Sequence, residues 1–189
     1  MPTSAQGYQY GHLASTNTWD AQQTLSAALN LPSGQIVFPA TAVPSAGANT
    51  LDDYEEGDWT PVLTAEVPGD LVATLNIAVG KYLKIGRLVC ATAHVNTSTF
   101  THTTASGDAL VTGLPFTSAN ISNLVAVGTI SFNNITKAGY AVFASYIDAN
   151  TAVVRVFAGG SGAGASKVAI TNMPTGGEVQ LRFTIWYQV

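Results

Sequence analysis

EVQLRFTIWYQ, residues 178–188, decides the fold. Val179, Leu181, Phe183, Ile185 and Tyr187 alternate strictly with Gln180, Arg182, Thr184, Trp186 and Gln188. Successive side chains on a strand point to opposite faces, so a period of two builds one core face and one face that is wet or subunit-facing. The run is rich in β-branched and aromatic residues and free of Gly and Pro, as a strand interior requires.

The same texture extends back to about Gly57 as short alternating runs separated by turn signals. Expected strands are Thr60 to Ala65, Leu71 to Val79, Lys81 to Ile85, Arg87 to Asn96, Ala109 to Thr112, Leu124 to Phe132, Tyr140 to Ile147, Thr151 to Ala158, Lys167 to Thr171 and Glu178 to Gln188. Ile85, Gly86 and Arg87, and again Asp148, Ala149 and Asn150, read as hairpin turns, so the pairing is antiparallel. The stretch AGGSGAGASK, residues 158–167, is too rich in Gly for a regular element and reads as an exposed, mobile loop. The expectation is an all-β, jelly-roll-like antiparallel β-sandwich over residues 51–189.

Residues 1–50 have another character. The first 18, MPTSAQGYQYGHLASTNT, show no periodicity and read as an extended arm. In WDAQQTLSAALNLP, Thr18 can cap a short helix in which Trp19, Gln22, Leu25 and Leu29 fall roughly along one side before Pro32. The segment Trp19 to Leu31, helix or strand, cannot bury that stripe alone; packing on its own copies about a threefold axis, or docking on another protein, would do so. Pro32, Pro39 and Pro44 then stiffen a linker.

Composition excludes several classes. Only 10% of the 189 residues are charged, against about 25% in ordinary soluble domains. Thr, Ser and Asn must supply surface polarity, or apolar surface must be buried between subunits. No apolar run of about 18 residues is present, so no membrane insertion is expected. The start carries neither the basic nor the apolar region of a signal peptide, and folding in the cytosol, or export by lysis, is expected. The single cysteine, Cys90, allows no internal disulfide and reads as a small buried hydrophobe. Residues 1–80 hold eight acids and no Lys or Arg, whereas residues 81–189 hold seven bases and three acids. Nucleic acid is therefore an unsuitable partner for the N-terminal part, and contact between that part and a basic surface is the alternative.

No residue pattern requires catalysis, a cofactor or a metal. Asp52, Asp53, Glu55, Glu56 and Asp58 are oxygen donors dense enough to suggest Ca²⁺ or Mg²⁺, but they lack the spacing of an EF-hand loop and read as a charged turn. A glycosidase would need two carboxylates facing each other across a cleft, which nothing in the sequence supplies. His12, His94 and His102 are isolated, and His94 shares a strand face with Cys90 and Thr92 at a separation too large for a nucleophilic pair. Exposed aromatics remain as a route to function, because rings held on rigid strands recognise sugars and apolar patches. Trp59 and Trp186 are expected in the core or a subunit interface. Tyr8, Tyr10 and Trp19 are expected, with Leu25 and Leu29, to anchor the arm to a partner.

Three segments resemble one family. IVFPATAVPSAGANTLDDYEEGDWTPVL (residues 36–63), GKYLKIGRLV (80–89) and VTGLPF (111–116) are similar, in that order, to parts of a domain of bacteriophage tail-fibre and minor virion structural proteins. The resemblance implies a C-terminal β-sandwich at the end of a homotrimeric fibre, located in the virion. It implies a structural junction at Asp52, Asp53, Tyr54, Glu55, Glu56 and Trp59, without active residues. The expected function is a non-enzymatic short trimeric tail fibre, held to another virion protein by residues 1–50 and displaying the β-domain for adsorption to host polysaccharide or protein. Alternatives are a capsid decoration or cement protein, a head fibre, and a polysaccharide depolymerase.

Overall fold

A computed structural model of the chain describes residues 34–39, 41, 47, 50, 51, 53–160 and 162–189. Contacts divide the chain into two units, Met1–Val37 and Phe38–Val189, and the second contains every strand found among the described residues. Its strands are β1 (Tyr54–Trp59), β2 (Val62–Val67), β3 (Val72–Ile85), β4 (Leu88–Thr101), β5 (Ser106–Thr112), β6 (Ala126–Asn133), β7 (Val142–Ile147), β8 (Val153–Gly160), β9 (Ala163–Lys167) and β10 (Gln180–Gln188), among the described residues. A single 3-10 turn at Ile170–Asn172 interrupts them among those residues.

All pairings are antiparallel and follow one path, β1-β3-β4-β10-β6-β7-β8-β5-β2, with β9 added to β8. The path curls into two layers, giving the all-β, sandwich-like fold read from the sequence. β10 lies inside the first layer, paired with β4 on one side and β6 on the other. Its apolar face, Leu181, Phe183, Ile185 and Tyr187, is buried with Val89, Ala91, Ala93 and Val95 of β4. Leu63, Ala65, Val111, Val154 and Val156 face them from the second layer. Each Leu- or Ile-sized side chain so buried contributes about 1.5–3 kcal/mol.

β6 carries the path from one layer to the other. Ala126 to Gly128 pair with β7, whereas Thr129 to Asn133 pair with β10. The corner needs Gly128, because a Cβ there would sit 2.2 Å from the Thr184 carbonyl oxygen and 2.6 Å from Ser145 Oγ. Ser145 is fully buried and donates to the Thr129 carbonyl at 3.3 Å, which satisfies the backbone where the strand changes partners.

Both expected hairpin turns are present, with Gly86 and Asn150 at φ 57°. Four readings need correction. The acidic stretch read as a turn is strand β1, because its residues pair with β3 from Tyr54↔Ile85 to Trp59↔Gly80. The two strands expected on either side of Gly80 are one strand, β3. The glycine-rich segment read as a mobile loop is instead the end of β8 and strand β9, paired at Ala158↔Ser166 and Phe157↔Lys167. The strand expected at Lys167 to Thr171 splits between β9 and the 3-10 turn.

Candidate functional site

The three segments that carry the family resemblance converge in one cluster. β1 and β3 pair so that an aromatic ring faces a glycine twice, Trp59 opposite Gly80 and Tyr82 opposite Gly57. The indole lies directly over Gly80, where a Cβ would be 2.5 Å from the ring, and the Tyr82 ring lies over Gly57 at 2.8 Å from the corresponding position. Trp59 is 7% exposed, packs against Phe183 with ring centroids 6.3 Å apart, and donates from Nε1 to the Lys81 carbonyl at 3.3 Å. Trp59 thus belongs to the core. The third segment adds Phe116, edge-on to Tyr82 at 5.3 Å, whose carbonyl accepts from the Tyr187 hydroxyl at 3.2 Å. Gly113, at φ 96°, lets the chain pass Thr60, whose carbonyl oxygen would be 2.4 Å from a Cβ.

Two acids in or just before β1 pair with the two lysines of β3. Asp53 and Lys84 form a buried ion pair, with Lys84 Nζ also 5.6 Å from the Phe116 ring centre. Asp58 pairs with Lys81 at the surface. Tyr82 donates its hydroxyl to Glu55, which, with burial, pushes the phenol up to about 12. Tyr54 donates to Glu56 at 2.9 Å. Two of the eight acids of residues 1–80, Asp53 and Asp58, are therefore answered inside the domain by lysines of the adjacent strand. Among the described residues no group of three or more His, Cys, Asp or Glu is arranged for a metal ion. Asp52 lies outside those residues, as do Tyr8, Tyr10, Trp19, Leu25 and Leu29.

The outer face of the first layer holds a groove of about 500 Å³ across β3, β4, β10 and β6. Register sets its rows: Val79, His94, Arg182 and Ser131 stand side by side, and Lys81, Thr92, Thr184 and Thr129 form the next row. No carboxylate lines the groove among the described residues. Burial, and secondarily the Arg182 guanidinium, hold His94 below its ordinary range, so it is a neutral imidazole at pH 7. Its Nε2 has no hydrogen-bond partner among the described residues. Two positions beyond Thr184 on the same face, Trp186 is 51% exposed and lines a smaller groove of about 120 Å³ with Leu88 and Leu124. Trp186 is thus not a core residue of this chain. Cys90, opposite Trp186, is only partly buried on this outer face, correcting its reading as a core residue; burial raises its thiol.

A second charged cluster sits on the other layer. Arg155 lies 3.2 Å from Asp108 and 2.9 Å from Asp148, and Lys167 reaches both acids at 3.7 and 3.4 Å. Both carboxylates are engaged by two cations, and neither lines either groove. The strand pattern marks Arg182, Thr184 and Trp186 as one face; which cations stay unpaired depends on β1 lying beside β3, which the sequence pattern does not reveal.

No protein-family model matches the sequence, and no curated protein matches it. The fold is similar to part of the crystal structure of the Dettilon tailspike protein, with TM-score 0.55 and 17% identity, covering 71% of this chain and 24% of that one. The class so defined is an antiparallel, sandwich-like β-domain shared with one portion of a tailspike. The chain spans about a quarter of that protein's length.

Proposed function

We propose that the chain is a non-enzymatic virion protein of a bacteriophage, a short homotrimeric tail fibre. Residues 1–50 attach it to another virion protein, and the β-domain of residues 51–189 is displayed for adsorption to the host surface. The supporting observation is the convergence of all three tail-fibre-like segments on the clasp of β1, β3 and Phe116, in a fold also used by a tailspike. Its make-up favours a structural role: Trp59 is core, Tyr82 and Phe116 pack against the core, and four of its polar side chains are paired with one another. Adsorption would work through many weak contacts made strong by repetition on three subunits. The low charge and the stripe Trp19, Leu25 and Leu29 favour assembly of like chains.

Purified chain is expected to be a trimer by mass photometry at micromolar concentration and to slow phage adsorption when added in excess to host cells. A monomer that leaves adsorption unchanged would overturn the proposal. New reducing ends from host polysaccharide would replace it with the depolymerase reading.

A further inference from the structure

We infer that the outer face of the first layer binds an anionic polysaccharide, Arg182 receiving a sugar carboxylate and Trp186 supporting a stacked sugar ring. This rests on the adsorption reading above and names its ligand class.

Of the seven cationic side chains, Lys81, Lys84, Arg155 and Lys167 are in ion pairs, and Lys137 is held by the Lys167 carbonyl at 2.9 Å. Arg87 and Arg182 form no ion pair among the described residues. Arg87 sits in the β3–β4 turn, whereas Arg182 projects from the middle of a four-strand groove lined by no acid among those residues. Arg182 is thus an exposed guanidinium with no acid beside it in the groove among the described residues, open to an anionic ligand. Its planar fork suits a carboxylate held by two parallel hydrogen bonds.

The groove beside it is lined by hydroxyls. Thr184, Thr129 and Ser131 make no side-chain hydrogen bond among the described residues and stand free to meet the hydroxyls of a sugar. Trp186 projects from the same strand and face as Arg182, four residues on, at about 13 Å. One monosaccharide does not bridge that distance; an oligosaccharide does. A half-exposed indole on a strand paired along its length with β4 offers a fixed apolar face, and the sugar gives up little freedom to the protein's own ordering. Guanidinium, hydroxyls and indole in line suit a chain of sugars bearing carboxylates better than a free anion or an apolar peptide.

The test is calorimetric titration of the full chain with alginate oligosaccharides, a polyuronate, against neutral dextran and against poly(glycerol phosphate) teichoic acid. Alginate is expected to bind about tenfold or more tightly than dextran. Arg182→Ala and Trp186→Ala should each weaken alginate about tenfold, with melting temperature and mass unchanged, while Arg87→Ala leaves binding intact. Equal binding of dextran, or unaltered binding by Arg182→Ala, would overturn the site. Teichoic acid binding as tightly as alginate would overturn the carboxylate assignment. A loss of the trimer in Trp186→Ala would make this face a subunit interface and overturn the proposal too. If wild-type chain competes for phage adsorption but ignores alginate, the groove fails and the adsorption reading stands; if it binds alginate without competing, the reverse holds.

Discussion

Gly80 has no room for a side chain. A methyl there would meet the Trp59 indole at 2.5 Å, part of a ring held by Phe183 and by its bond to Lys81. Gly80→Ala is expected to cost about 1–3 kcal/mol by overpacking, and Trp59→Ala about 3–5 kcal/mol by leaving a cavity; denaturant unfolding measures both, and an unchanged midpoint for Gly80→Ala would contradict the clasp. Asp70 accepts from the Thr103 hydroxyl, from the amides of Thr103, Thr104 and Ala105, and from the Thr104 hydroxyl, tying the β2–β3 turn to the β4–β5 turn. These bonds, the Thr103 hydroxyl foremost, hold its carboxyl well below the usual range. A folded-state value lowered in this way adds stability that is fully present above the unfolded value and is lost as pH falls from there through the lowered folded-state value. Asp70→Asn should therefore melt earlier at pH 7, and the gap should begin to narrow as pH falls below about 4 and vanish only once pH has passed the lowered folded-state value; a gap independent of pH would contradict the role. Alternation in EVQLRFTIWYQ makes the inward and outward faces of β10 legible in the sequence. Gly80 misleads because an isolated glycine in an apolar run reads as a break, and only its cross-strand partner shows that it is a seat for a ring.

At the scale of elements, β1 and β3 exchange charge as well as rings. The Asp53–Lys84 pair is buried, so removing one member strands the other. Asp53→Ala alone is expected to cost about 3–5 kcal/mol, and the double variant Asp53→Leu with Lys84→Met less than that; additive costs in a double-mutant cycle would contradict the pairing. The acidic stretch reads as a turn because five carboxylates in seven positions suit a solvated surface, and the lysines that pair with Asp53 and Asp58 come from a strand more than twenty residues later. The glycine-rich stretch reads as mobile for a related reason. Low propensity argues against a strand, but pairing with β8 and the ion pairs of Lys167 hold β9 in place. Hairpins and strand faces are readable because their signals are local, whereas the change of layer at Gly128 depends on contacts with β7 and β10 together.

At the scale of the whole molecule, the clasp and the proposed display face meet at Lys81 and are otherwise built from different residues. The residues of the family-like segments build a clasp, and the face proposed for recognition, the outer side of β3, β4, β10 and β6, shares only Lys81 with those segments. A scaffold of this kind can keep its core while its outward positions vary with the host. The proposed display takes place on the tail of a phage particle. Immunogold imaging of intact particles with antibody to the β-domain, combined with gel densitometry of purified virions, tests it directly. Label on the tail, with a copy number in the tens or fewer and a multiple of three, is the predicted result; label over the shell at hundreds of copies, or none in the particle, would contradict it.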